Sequence, residues 1–175
     1  MTGGLAGPRP PVTLAVHGQP APQGSKRAFM GRRKDGTPVA RVIESSHDRV
    51  KSWRQAVVDE ARAWQAPPGL LADGGWPPLD GPLEADMTFV LPRPKGHYGS
   101  GRNAARLRPS APVHPAGKPD VGKLGRATED ALTGIVWHDD AQVVISRLTK
   151  VYADPGAPDP AWRAPGAVIT IRQIT

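Results

Sequence analysis

The chain has 175 residues, 38% of them hydrophobic, with 20 glycines, 21 prolines and no cysteine. That length suits one domain, a compact centre of roughly 100–120 residues carrying long irregular connections. Without cysteine, disulfide frameworks, thiolate zinc sites and cysteine nucleophiles are excluded, and no apolar run nears the roughly 20 residues of a membrane span. The formal charge of +7 and pI of about 10.2 favour polyanionic partners, because neutralised phosphates release counterions. Met1 to Pro11 lacks the charged region and apolar core of a signal peptide. A soluble, cytoplasmic protein is expected, and the Ala/Arg/Gly/Pro-heavy composition is compatible with a GC-rich bacterium or its phage.

Residues 1–10 read as a disordered arm and residues 11–175 as the domain. Pro11 to His17 alternates well enough for a first strand. Gln19 to Lys34 holds two prolines and the cations Lys26, Arg27, Arg32, Arg33 and Lys34, so it reads as a loop or mobile hairpin. It opens a basic loop region over residues 19–44. Ser45 or Ser46 then offers an N-cap, and Val50, Trp53, Val57, Ala61 and Trp64 recur at helical spacing through about Gln65. Such a stripe is core packing. A breaker-rich connection follows over Ala66 to Gly81, and Leu83 to Leu91 reads as a second strand.

Residues 92–118 form a long Gly/Pro/Ser-rich loop, and loops beyond about 12–15 residues are usually functional or disordered. A second helix is predicted from Pro119 or Asp120 to about Thr133, with Val121, Leu124, Ala127, Thr128, Ala131 and Leu132 inward. Ala141 to Tyr152 and Gly166 to Ile174 read as the last two strands, separated by a Pro-rich loop. The order strand, helix, strand, helix, strand, strand predicts an α+β single domain, a mixed β-sheet packed with two main helices.

Charge is distributed unevenly. Between Met87 and Pro119 there is no acid, while Arg93, Lys95, Arg102, Arg106, Arg108 and Lys118 all fall there. The acids Asp120, Glu129, Asp130, Asp139 and Asp140 then arrive together. A helix from Asp120 to Leu132 rises about 18 Å, and an extended chain from Thr133 to Asp140 can return about 23 Å. Asp139 or Asp140 could therefore meet Asp120 and form an oxygen-ligand site suited to Mg²⁺. Taken singly, Asp120 is a good N-cap, Asp139–Asp140 a turn, and Lys123 with Arg126 a solvated face.

Joined, the segment Lys118 to Val144 (KPDVGKLGRATEDALTGIVWHDDAQVV) resembles the signature of RusA-type Holliday-junction resolvases. Asp120, Lys123, Leu124 and Arg126 match its acid, Asn/Lys, leucine and basic positions. Asp130-Ala131-Leu132, the aromatic Trp137 and Asp139-Asp140-Ala141-Gln142-Val143 match the rest. More loosely, Pro20 to Arg27 and Pro94-Lys95-x-His97-Tyr98 match its flanks. The resemblance implies a RusA-like fold and a homodimer that cuts four-way DNA junctions in recombination and repair. It also implies Mg²⁺ as cofactor, with Asp120 and Asp140 as ligands, Asp139 as a neighbouring acid and Arg126 near the scissile phosphate. Arg126 can bind phosphate bidentately but is always charged, which argues against a proton-transfer duty.

One position departs from the signature: Gly122 stands where a second acid is expected. Residues 122, 126 and 129 share a helix face, but Glu129 lies about 10 Å along it, too far to substitute in place. Three readings stand open: a natural variant with weakened or lost cleavage, an engineered inactive form, or a site completed by Asp139. Lys26, Arg27, Lys95, Arg102, Lys118 and Lys123 are the candidate DNA contacts. The rivals are a non-catalytic branched-DNA-binding protein and a zinc hydrolase built on His97, His114 and His138. Those histidines lack ligand spacing and read as surface or packing residues. Gly99-Ser100-Gly101 is no P-loop, since no Gly-Lys-Ser/Thr follows.

Overall fold

The computed structural model describes residues 9–24, 26–32, 34–44, 47–66 and 75–174. Most of the expected N-terminal arm and the Ser45/Ser46 cap lie outside the described residues. Six strands and two main helices follow one another: β1 (Val12–His17), β2 (Lys26–Arg32), β3 (Pro38–Glu44), α1 (His47–Gln65), β4 (Leu83–Leu91), α2 (Val121–Leu132), β5 (Val143–Tyr152) and β6 (Gly166–Gln173). Four strands form one mixed sheet in the order β1-β6-β4-β5. β6 pairs antiparallel with β1 and β4, whereas β4 and β5 are parallel. Parallel neighbours need a crossover, and α2 supplies it.

Alternation decides which face of the sheet is buried. Val12, Leu14 and Val16 of β1, Leu83, Ala85, Met87 and Phe89 of β4, and Ala167, Ile169 and Ile171 of β6 all fall in the core. The helices meet them with Val50, Trp53, Val57 and Ala61 of α1 and Leu124, Ala127 and Leu132 of α2. Trp53 lies edge-on to Phe89 at 6.4 Å and donates from Nε1 to the buried Thr128 Oγ1 at 3.1 Å. That bond satisfies the one polar atom of an otherwise apolar ring, as burial demands. At Gly125 an added Cβ would stand 2.7 Å from Leu148 Cδ1, so glycine lets α2 approach β5 closely.

The expected order lacked one unit. Residues 26–44 form an antiparallel hairpin, β2–β3, which is a sheet of its own. The segment over residues 19–34, expected as a loop or hairpin by itself, supplies only the first strand, and the second lies beyond it in what was expected as basic loop. Lys26 and Arg27 pair with Glu44 and Ile43 by backbone register. Their side chains lie outside the described residues. Val143 begins β5 after a short 3-10 turn over Asp140–Gln142. Among the described residues, no helix is long and apolar enough to cross a membrane.

α2 and β5 run in opposite directions past each other. Ser146 Oγ stands 3.4 Å from Glu129 Oε1 near the end of α2, and Lys150 Nζ donates to Pro119 O at 2.9 Å beside its start. This fixes the two poles at which the acids sit.

Candidate metal and DNA site

The first pole is the start of α2. Asp120 is its N-cap, with extended backbone, and Oδ1 accepts the Lys123 backbone N–H at 3.2 Å. Lys118, Asp120, Gly122 and Lys123 are exposed here. At Gly122 the backbone is helical and a Cβ would lie 3.4 Å from Asp120 Oδ1, an ordinary contact. Nothing in the packing requires glycine at this position. A carboxylate there would stand beside that of Asp120. Arg126 is exposed one turn further on.

The second pole is the end of α2, and the sequence motif DD-x-Q acquires a physical meaning there. Trp137, buried, donates from Nε1 to Asp140 Oδ1 at 3.0 Å, and the Thr133 hydroxyl bonds the same oxygen. Two donors on a rigid floor thus hold the exposed Asp140 carboxylate through one oxygen. Asp139 caps the 3-10 turn, its Oδ1 accepting Ala141 N–H at 2.8 Å. Gln142 pins the whole turn. Its Oε1 accepts the backbone N–H groups of His138 and Asp139 at 2.8 and 3.0 Å, and its Nε2 donates to Leu79 O and Gly81 O at 2.9 and 3.1 Å.

Asp120 and Asp140 therefore stand at opposite ends of a twelve-residue helix and do not meet within one chain. The return from Thr133 to Asp140 was long enough, but it is spent on a compact turn. Gly134 takes φ 79° and donates to Trp137 O at 2.7 Å, while Val136 and Trp137 are buried against the end of α2. Burying an indole outweighs extension toward the helix start. Among the described residues no three metal-binding side chains converge.

Glu129 gains importance that its spacing from Gly122 did not suggest. Burial, and then the Asp140 carboxylate, push its pKa above the ordinary glutamate value, against the lowering effects of Ser146 and Arg126. The last turn of α2 carries no basic residue, so the negative end of the helix dipole adds to this anionic pole. Asp130, one residue on, is engaged by Arg54. A group with a raised folded pKa favours the folded state at low pH, and that contribution is lost as pH rises through the folded value. Glu129→Gln should therefore raise the urea midpoint at pH 7, with the gain shrinking as the pH falls through the raised folded value and gone below the ordinary glutamate value. An unchanged or lower midpoint at pH 7 would contradict this.

The basic loop over residues 92–118 is built rather than slack. Arg93 donates to Pro112 O at 2.9 Å with its guanidinium 4.4 Å from the Tyr152 ring, and Arg108 Nε donates to Tyr98 O at 2.7 Å. Those two cations brace the loop, while Lys95, Arg102 and Arg106 stay exposed on it. His97 sits edge-on to Tyr152 at 5.3 Å, and His138 faces Asp80 at 3.2 Å. His114 is exposed. The three histidines occupy separate surroundings.

The chain is an α+β domain with a four-stranded mixed sheet, an acid-bearing crossover helix and braced basic loops. Residues 19–158 match the family Endodeoxyribonuclease RusA, and the chain belongs to that family. It is also similar to "Uncharacterized protein YqaN" of Bacillus subtilis (strain 168), at 29% identity over 76 residues, which are 43% of this chain and 53% of that protein. The match thus covers about half the length of that relative.

Proposed function

We propose that this chain is an Mg²⁺-dependent endonuclease that resolves four-way DNA junctions as a homodimer. The polarity of α2 carries the reading within the family assignment. One end presents Asp120 with Lys118 and Lys123, the other presents Asp140, Asp139 and Glu129. Carboxylate oxygens suit a hard divalent cation, so the residues present fit Mg²⁺, with Asp120 and Asp140 as ligands and Asp139 adjacent. When bound, Mg²⁺ activates water and stabilises charge on the phosphate under attack. Arg126 holds a phosphate oxygen, and the exposed Lys95, Arg102, Lys118 and Lys123, together with Lys26 and Arg27 on the hairpin, grip the flanking backbone.

A two-fold copy supplies what one chain separates. β5 is an edge strand, and Val144 and Ile145 on it are exposed at 59% and 39%. Edge strands with exposed apolar residues favour pairing with another chain. Antiparallel pairing of β5 with its copy, centred on Ile145, would set residues 143–147 of the two copies opposite one another. The 3-10 turn that carries Asp140 then points toward the Lys150 end of the second copy's β5. Lys150 binds Gly117 O and Pro119 O at 2.6 and 2.9 Å, next to Asp120. The two poles of α2 are thereby completed across the dimer.

Gly122 favours a second reading, a chain that binds junctions and cuts them slowly or not at all. Titration with Mg²⁺ separates the two, since a nuclease site perturbs the carboxyl NMR signals of Asp120 and Asp140 and a pure binder leaves them unmoved. Both readings require strongly salt-dependent binding. Arg102→Ala or Lys95→Ala should weaken junction binding and lower the slope of log K against log salt by about 1 for each phosphate no longer neutralised. Unchanged slopes in both variants would remove these residues from the DNA interface.

A further inference from the structure

A cleft of about 1180 Å³ opens beside Asp120, walled by the segment after β1, the first half of α1 and the start of α2. It is built into the fold. Gln23 N–H donates to Lys123 O at 3.0 Å, Gly18 N–H donates to Pro165 O at 3.1 Å, and Pro20 and Ala21 are buried. Half-buried Pro22 and Ala56 line its apolar floor over the buried Ala21 and Trp53, while Arg49, Lys118 and Lys123 line it together with the carboxylates Asp48 and Asp120. The exposed Gln19 also lines it and offers an amide that can both donate and accept.

An apolar floor with three cations, Arg49, Lys118 and Lys123, set against two carboxylates, Asp48 and Asp120, offers places for a flat base and for an anionic phosphate on its lysine side. The volume lies above the range of small-ligand sites, about 300–1,000 Å³, which leaves room for the sugar and for strand to enter and leave. Unstacking a paired base costs a few kcal/mol, which such a cleft repays with apolar contact. We infer that the cleft takes one unstacked nucleotide of the junction strand next to the phosphate to be cut. Its base lies on the floor, its phosphate lies against Lys118 and Lys123, and Gln19 reads the base edge. The cleft would thereby impose a base preference on cutting. This inference rests on the junction reading above.

Four-way junctions carrying 2-aminopurine at single positions within three nucleotides of the branch test it, with the full chain titrated in Ca²⁺. The proposal expects a several-fold fluorescence rise at one position and little at the others. Ser52→Phe and Ala56→Leu each fill the cleft. Ser52 is the safer change, being exposed with its hydroxyl donating to Asp48 O at 3.0 Å. Either variant that folds should abolish the rise while still retarding the junction in a gel, since phosphate contacts supply most of the affinity. Tight binding without a rise at any position overturns the cleft and leaves the junction reading standing. A rise that survives in a folded filled variant also overturns it, placing the unstacked base elsewhere. Failure to bind junctions at all overturns the junction reading and the cleft with it.

Discussion

Gly122→Asp should raise the rate of Mg²⁺-dependent junction cleavage by about 100-fold or more. An added carboxylate would hold the metal ion, whose charge stabilisation in the transition state is worth several kcal/mol, and each 1.36 kcal/mol is about tenfold in rate. The space for it exists, because a Cβ at residue 122 would sit 3.4 Å from Asp120 Oδ1 with nothing else within 4 Å. Without metal, the two adjacent carboxylates repel, offsetting the roughly 0.5–1 kcal/mol gained by removing a helical glycine. The variant should therefore melt near the parent in EDTA and above it in Mg²⁺. This melting difference reads the metal site independently of turnover. Equal cleavage and equal melting by both forms would mean that Gly122 does not limit the site.

Gln142→Ala should lower stability by about 2–4 kcal/mol, since four hydrogen bonds disappear and two backbone N–H groups lose their partner. For a chain of this size that corresponds to a melting temperature lower by roughly 5–10 °C. The same change frees the Asp139–Asp140 turn from the Leu79–Gly81 segment. Cleavage by the Gly122→Asp form should fall at least tenfold when Gln142→Ala is added, while junction binding without metal persists, because the phosphate-binding cations lie elsewhere. Gln142→Glu is the informative companion, as it keeps the acceptor for His138 and Asp139 but loses the donor to Leu79 and Gly81. It should fall between the two. A Gln142→Ala chain that melts with the parent would show that the turn is held by other interactions.

The periodic elements were legible because burial writes its period into the sequence. β4 matches its expected bounds, and α1 and α2 end within a residue or two of theirs. The hairpin β2–β3 was ambiguous for a physical reason. Its strands pair with each other outside the main sheet, so hydrophobic alternation toward the core is not imposed on them. The order within the loop over residues 92–118 was hidden too, since it depends on Arg93 and Arg108 reaching distant carbonyls. The acids of the candidate site were visible as a linear motif. Their separation was not, because reach alone could not show that Trp137 would be buried at the end of α2. Gln142 looked like one motif position among several, and its side chain proves to organise the turn. Glu129, set aside on its distance from Gly122, proves to be coupled to Asp140 instead.

A mixing experiment tests most directly whether this chain, once Gly122 is replaced by Asp, is a junction nuclease whose Asp120 and Asp140 act together across two copies. Asp120→Asn and Asp140→Asn are each placed in the Gly122→Asp chain, and each alone should fail to cut a four-way junction in Mg²⁺. Co-refolded in equal amounts, half of the dimers carry one chain of each kind. In such a dimer one site loses both ligands and the other keeps both, so about a quarter of the parental cleavage should return. No recovery, with mixed dimers present, would contradict a shared site and return both carboxylates to a single chain.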